Sequence, residues 1–493
     1  MRSFFYFSLL LIFTGNISIA QDEIVLWANS FTVSNCVEMG GLAVDSSDNI
    51  IIAGVHEAPF SLPFKGDVYL KKTNPDGNII WQKELLGDIV ISDINAQNED
   101  ILISGQAFGI ITIDGIEYGG DPYYLYVFRL DSEGNVLWYY FDLDKSGTYS
   151  NIALAENNQC IVHARTQSNQ GDWILIFDEN GAIVQSRLLH PTITLIDDIA
   201  YYQGNYYMSG DLNGLSAVVI DTVFIPQSPL ESTAFVLALN SSLIAQWVAL
   251  DTTLNNSNGK IEVNENGIFV FQENLEPPFS ITSHLKHFDY SGNKIKEIEL
   301  PVFSAGAALL PSMTLTGDRL ALYVKNSFSS NSFKLMIFDD DLDLITEKSI
   351  DGNSDQYSNH IRFQKKNFII GHIYESTLNL NNEMTLPYEG PGKQPYVAKI
   401  GVEEVVISGI DEIPAKVFEI YPNPADQFVN VVPTGMGNAF GIQIIDITGK
   451  LMIENTPEQN TQSVDVSGLA DGVYFIRFFQ SGTLLETHKL LIK

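Results

Sequence analysis

The side chains that could do chemistry are scattered along the chain. None of the eight histidines sits in a His-Glu-x-x-His pair, the helical spacing that puts two imidazoles on one face for zinc. His284 and His287 are three apart in a segment whose alternation reads as a strand, so they point to opposite sides. A Gly-x-Ser-x-Gly nucleophile elbow is absent, and Gly390-Pro391-Gly392-Lys393 lacks the spacing and the following hydroxyl of a phosphate loop. Two cysteines, Cys36 and Cys160, are too few for a disulfide framework or a Cys-based zinc site. They fall in different repeats, which favours two separate buried thiols over a bond between them. The run Asp339-Asp340-Asp341-x-Asp343 offers hard oxygens to Ca²⁺, the one cofactor left open, although its place in a turn favours a solvated hairpin. No catalytic, cofactor-binding or metal residue is assigned. Acids for glycoside cleavage contributed by separate repeats would leave no local motif.

The elements that must position any site are strands in a repeat. One hairpin type has an alternating apolar strand, a turn opened by Asp or Asn, and a second strand that often carries Trp. Copies run over 69–81, 126–138, 173–185, 235–247, 285–296 and 333–345. The opening Asp or Asn bonds the backbone ahead, and Gly supplies the positive φ that completes the turn. A second hairpin type alternates with it, at 41–54, 91–105, 151–163, 196–210, 260–271, 311–323 and 359–371. Two hairpins per repeat give four strands with a period of roughly fifty residues.

Four antiparallel strands at that period predict an all-β, seven-bladed β-propeller, with an open solenoid or a ring of six or eight blades as the alternatives. The chain ends support a ring. Tyr396 to Ile400 supplies the first strand of a Trp-type hairpin with no second strand after it, whereas Ile24-Val25-Leu26-Trp27 reads as a Trp-bearing second strand without a first. The N-terminal strand is therefore expected to complete the last blade and satisfy two open edges. The unit Asp131 to Trp138, with its Asp-x-x-Gly-x-x-x-Trp pattern, resembles the loosely defined β-propeller repeats of secreted bacterial proteins. Three stretches between second and third strands, 108–123, 212–232 and 376–394, read as long loops where binding specificity could sit. The repeating Trp and Tyr residues read mainly as packing between blades.

Composition fits packed strands: hydrophobic residues make up 45% against 18% charged. The formal charge of −33 disfavours nucleic acid and anionic lipid as partners. Arg2, the apolar run Phe4 to Phe13 and the small residues Ser18 and Ala20 have the layout of a secretory signal peptide over 1–20, with cleavage expected after Ala20. The run is about half the length of a membrane span, and no later segment is long and apolar enough to be one.

After the repeats at 21–401 comes a linker at 402–416 and then a different unit at 417–493. Its alternation and turn spacing predict a small immunoglobulin-like β-sandwich. Tyr421-Pro422-Asn423-Pro424, Asp446 with Gly449-Lys450, Asp465-x-Ser467-x-Leu469, Gly472-x-Tyr474 and Lys489 resemble the type A C-terminal sorting domain of the type IX (Por) secretion system of Bacteroidetes. That resemblance implies Sec export, recognition of 417–493 by an outer-membrane translocon, and delivery to the cell surface or the medium.

Two functions follow for the propeller: a secreted or surface binding protein for a glycan, protein or peptide, or an extracellular polysaccharide hydrolase or lyase. Regular repeats without distinctive residues favour binding. Clustered, partly buried carboxylates in one funnel would favour the enzyme.

Overall fold

The computed structural model describes residues 23–493 except 34, 57–65, 167–170, 191–192, 214–216, 227–231, 252–258, 277–279, 301–311, 326–331, 352–359, 366, 381–383, 389–391, 403–417, 434–439, 447–449, 456–461 and 481–482. The expected signal peptide and most of the expected linker lie outside the described residues. Contacts divide the chain into two compact units, Met1–Glu404 and Val405–Lys493. The described residues are all-β, without a helix, and no helix among them is long and apolar enough to cross a membrane.

In the first unit, the turn chemistry read from the sequence is what folds the hairpins. The Oδ1 atom of Asp131 accepts from the backbone N–H of Glu133 at 2.9 Å and of Asn135 at 2.8 Å, while Gly134 adopts φ +79°. Asp289 does the same toward Ser291 and Asn293, with Gly292 at φ +84°. In two copies Leu243 and Leu342 take the left-handed position instead, both nearly fully buried, so packing offsets the conformational cost.

All seven hairpins of the Gly-ended type and all six of the Trp-bearing type are present as antiparallel pairs. Lys145–Leu154, Cys160–Thr166, Asp172–Phe177 and Ile183–Leu188 make one four-stranded sheet. Similar sheets span 193–251 and 260–300. The N-terminal strand Glu23–Ser30 pairs antiparallel with Gln394–Val402, with Ile24 opposite Gly401 and Ser30 opposite Tyr396, as the chain-end reading expected.

Two details differ from that reading. The first two repeats are one continuous seven-stranded sheet, because strand Ile79–Gln97 serves both. Its first part pairs with Gly66–Thr73 and its second with Asp100–Ile113, across a register shift between Leu86 and Ile89. Gly87 at the shift donates to Asp67 Oδ1 at 2.7 Å. Second, the three long loops contain hairpins. Residues 108–123 are extensions of Asp100–Ile113 and Ile116–Leu130, and Ile113 pairs with Leu85 of the preceding repeat. Val218–Ile220 pairs with Val223–Ile225, and Leu378–Leu380 with Met384–Leu386. Asn379 of the last hairpin pairs with Asp351 of the preceding repeat, so at 113 and 379 the insertion covers an outer strand edge.

The first strand of each Gly-ended hairpin neighbours its counterparts in chain order: Cys36–Val44, Ile79–Gln97, Lys145–Leu154, Ile193–Tyr202, Lys260–Asn264, Ser312–Thr316 and His360–Gln364, the last lying against the first. The core consists of apolar layers between adjacent sheets. In one, Leu102, Val127 and Trp138 pack on Val162, Leu175 and Phe177; in another, Met39, Leu42 and Ile52 pack on Ile369 and Val397.

Further out, an indole of one repeat lies over the turn of the next. Trp81 Nε1 donates to Ser132 O at 2.9 Å, Trp138 Nε1 to Glu179 O at 3.1 Å and Trp247 Nε1 to Tyr290 O at 2.9 Å. A Cβ on Gly181 would come within 2.6 Å of Trp138, so glycine there provides close approach as well as its φ. Trp27 meets Gly77 in the same way, and Asn29 Nδ2 donates to Gly77 O at 2.9 Å. Cys36 and Cys160 are separate buried thiols.

In the second unit, Phe418–Tyr421, Phe428–Pro433 and Gln462–Asp465 form a three-stranded sheet. Gly441–Asp446, Leu451–Asn455, Gly472–Gln480 and Thr483–Ile492 form a four-stranded one. Both contribute to one core, in which the rings of Phe418 and Phe478 stack at 4.2 Å.

Candidate functional site

The inner strands of the first unit line a cavity of about 500 Å³ whose wall includes Glu38, Asp93, Asp198, Lys260, Glu262, His360 and Arg362. These residues lie in five separate repeats, so only the fold brings them together.

Most of the wall's polar groups hold strands in place. Asp93 Oδ2 accepts from Ile152 N at 2.7 Å and its Oδ1 from Ile94 N at 2.8 Å. Burial raises the Asp93 pKa to about 6, and Arg362 opposes the shift. Asp198 repeats the arrangement one sheet on: Oδ2 accepts from Ile261 N at 3.1 Å, Oδ1 from Ile199 N at 3.1 Å, and Lys260 Nζ stands 3.7 Å away. Ser312 Oγ accepts from Ile361 N at 2.9 Å. His360 Nε2 donates to Met39 O at 2.8 Å, joining the last inner strand to the first, and burial lowers its pKa to about 3, so the ring is neutral.

Two groups are not committed in this way. The Glu262 carboxyl has no hydrogen bond or ion pair among the described residues, and burial raises its pKa to about 8 even though the Arg362 charge pulls it down. Near neutral pH it is mainly a carboxylic acid, able to donate. Among the described residues the Arg362 guanidinium makes one hydrogen bond, from Nη1 to the neighbouring Ile361 O at 2.9 Å, and no ion pair. The cavity therefore presents a guanidinium and a neutral acid to whatever enters it. A charged donor beside a neutral one in such a half-buried wall suits a carboxylate or another anion.

The residues singled out from sequence lie elsewhere. His284 Nδ1 faces Glu297 Oε1 at 3.1 Å, while His287 stacks on Phe269 at 4.3 Å and donates to Asn266 O at 3.1 Å. Within the acidic run, Asp339 Oδ1 accepts from Asp343 N at 2.8 Å, and Asp343 pairs with Lys296 at 2.6 Å. No group of three His, Cys, Asp or Glu able to hold a metal occurs among the described residues. Sequence reasoning missed the cavity wall. Its signal is a polar residue next to the irregular step of an inner strand, as at Asp93 and Asp198, where register shifts fall at 91/93 and 196/198.

The sorting motif holds together the second unit's own chain ends. Asn423 Nδ2 donates to Lys489 O at 2.7 Å and its Oδ1 accepts from Leu491 N at 2.9 Å. The Tyr421-Pro422 and Asn423-Pro424 bonds are cis, and Tyr421 is exposed. Asp446 exchanges 3.0 Å bonds with the Lys450 backbone around a turn whose Gly449 lies outside the described residues. Asp465 Oδ1 accepts from Ser467 N and Oγ, which lowers its pKa. Leu469 packs on the core. Tyr474 Oη donates to Ala470 O at 3.0 Å, and Gly472 pairs with Ile492. Lys489 lies opposite Phe475 with its side chain exposed.

Residues 419–493 match the model of the secretion system C-terminal sorting domain, so the chain ends in a domain of that family. No curated protein matches the chain. Among solved structures it is similar to BBS1N in complex with ARL6DN, at 9% identity and TM-score 0.44, over 78% of this chain and 99% of that one. It is also similar to the quinohemoprotein alcohol dehydrogenase of Comamonas testosteroni, at 9% identity and TM-score 0.38, over 77% and 76%. A third is PorZ, a surface component of the type-IX secretion system of Porphyromonas gingivalis, at 10% identity and TM-score 0.29, over 92% and 70%. At these scores no chemistry is carried across from any of the three.

Proposed function

We propose that the chain is a secreted or cell-surface protein whose first unit is a seven-bladed propeller, closed by its N-terminal strand, that binds an extracellular glycan, protein or peptide at its central cavity. The unit at 417–493, an immunoglobulin-like sandwich, directs it from the periplasm through the type IX translocon after Sec export. Seven inner strands neighbouring one another in chain order support the ring, and the Ile24–Gly401 pairing supports its closure. The observation that carries binding is the pair of uncommitted groups, Arg362 and Glu262, on one cavity wall. An anionic group on the ligand would take the Arg362 guanidinium and accept from the Glu262 carboxyl.

The hydrolase or lyase is kept as a second reading because Glu262, protonated near neutrality, has the state a general acid needs. It is the weaker one. Glycoside cleavage needs two acids, and Asp93 and Asp198 are held by backbone N–H groups.

Screening the mature full chain on a glycan array with and without Ca²⁺, with product analysis of each hit, separates these readings. An intact acidic glycan retained by wild type and lost in Arg362→Gln is the expected result; cleaved ligand would replace binding with catalysis. Deleting Val417 to Lys493 should leave the first unit folded but held in the periplasm. Normal surface delivery of that truncation would sink the sorting role.

A further inference from the structure

A second cleft, of about 590 Å³, shares no lining residue with the first cavity and lies between the sheet spanning 193–251 and the sheet spanning 260–300. Tyr202, Trp247 and Tyr290 supply its aromatic surface, and Gln203, Asn205 and Gln246 its polar surface. None of its lining residues is charged, in a chain of formal charge −33.

The repeat accounts for Trp247 but not for the two tyrosines. At the Trp81, Trp138 and Trp247 junctions the indole donates to the backbone carbonyl of the turn's second residue, a bond that leaves that residue's side chain unspecified. The position holds Pro75, Ser132, Glu179, Ser241 and Asp340 in the other copies, and only here Tyr290. Tyr290 is 38% exposed, and its ring stacks on Tyr202 at 5.6 Å with an interplanar angle of 5°. Tyr207 lies 6.3 Å from both Trp247 and Tyr290. Tyr202 sits at the start of the turn after Ile193–Tyr202, where Gln203 at φ +46° and Gly204 at φ +80° bring an exposed amide to the rim.

Flat aromatic faces beside amide groups, without a charge, suit a polyhydroxylated neutral ligand. The faces bury the apolar side of a sugar ring, while the amides of Gln203, Asn205 and Gln246, each of which gives one N–H to Tyr202 Oη, Gln203 O or Ile244 O, keep a second N–H and a carbonyl oxygen for its hydroxyls. A phosphate, a uronate or a charged peptide would find no counter-charge there. We infer that this cleft is a binding site for a neutral polysaccharide, separate from the central cavity and independent of the anionic ligand read there.

The test is affinity electrophoresis of the full chain through gels containing soluble β-glucan, xylan or galactomannan, with tryptophan emission recorded on titration with the best of them. Tyr290→Ser installs the residue that stands at Ser132 and keeps the carbonyl that Trp247 bonds, while removing the Tyr202 stack and the bond from the Tyr290 hydroxyl to Asn264 O, so its thermal midpoint is recorded beside its affinity. Wild type should be retarded by at least one polysaccharide. Tyr290→Ser should lose about tenfold in affinity, about 1.4 kcal/mol. Gln246→Ala, at an exposed position, should weaken binding without moving the thermal midpoint, and Arg362→Gln should bind as wild type does. The inference is overturned if no polysaccharide retards wild type, or if Tyr290→Ser binds normally. Loss in Arg362→Gln, or binding that leaves both Gln246→Ala and tryptophan emission unaffected, overturns it as well.

Discussion

The carboxyls of the hairpin turns and those of the central cavity are the same chemical group placed under opposite demands. In the turns, Asp131 and Asp289 each accept two backbone bonds, and their pKa values are held below the ordinary 3.8 by hydrogen bonds from Asn135 and Asn293. At the cavity, Asp93 is tied to the next inner strand but pushed up by burial, and Glu262 is pushed up further with nothing tying it. A carboxyl whose oxygens are filled by the backbone maintains the fold. One left over on a cavity wall is available to a ligand. Counting acidic residues therefore says little about function until the backbone bonds have been assigned.

The largest expected effect lies at a junction where the turn is purely structural. Trp138 is 8% exposed, stacks on Phe177 at 5.5 Å and lies over Gly181. Trp138→Ala should lower unfolding stability by about 3–5 kcal/mol, read as a shift in denaturation midpoint. Asp93→Ala should come next: it strands the Ile152 N–H and costs about 1–3 kcal/mol. Glu262→Gln should cost nothing of that kind. If the two cavity variants proved equally destabilising, the distinction between tied and free carboxyls would collapse.

The pH dependence sharpens the same contrast. The folded pKa of Glu262 lies above its unfolded value, so the folded state holds the proton longer. Its contribution to stability is therefore full below about 4.5 and declines as pH rises toward about 8. Glu262→Gln should flatten that decline in denaturation midpoints measured across the window. Asp131 has the opposite sign. Its stabilisation is present above the unfolded value of 3.8 and is lost as pH falls through the lowered folded pKa. Asp131→Ala, the smallest effect, should trail wild type slightly at neutral pH and meet it in acid.

Much of the architecture was legible because hairpins advertise themselves locally. Asp131 to Trp138 carries its turn residue, its positive-φ glycine and its packing indole within eight positions, and Trp27 could be matched to the same template at the other end of the chain. The hairpins at 108–123 and 376–394 were hidden, because their strands are short or continue an existing strand and pair with a different repeat. The continuous sheet through Ile79–Gln97 was hidden for a related reason: alternation does not show where a strand changes partner. Glu262 and Arg362 are a hundred positions apart and meet only because inner strands of separate repeats face one cavity. Tyr290 could have been noticed as the one aromatic at its turn position, but only once the copies had been aligned on the turn.

The most direct measurement is the titration of the Glu262 carboxyl by carbon NMR in full chain labelled at the glutamate and aspartate side-chain carbons, assigned with Glu262→Gln. A midpoint near 8 for Glu262, with Asp131 and Asp289 below 3.8, is the predicted result. A Glu262 midpoint at the ordinary 4.5 would mean that its carboxyl is solvated or paired, and would contradict the account of the cavity as a site with an uncommitted acid.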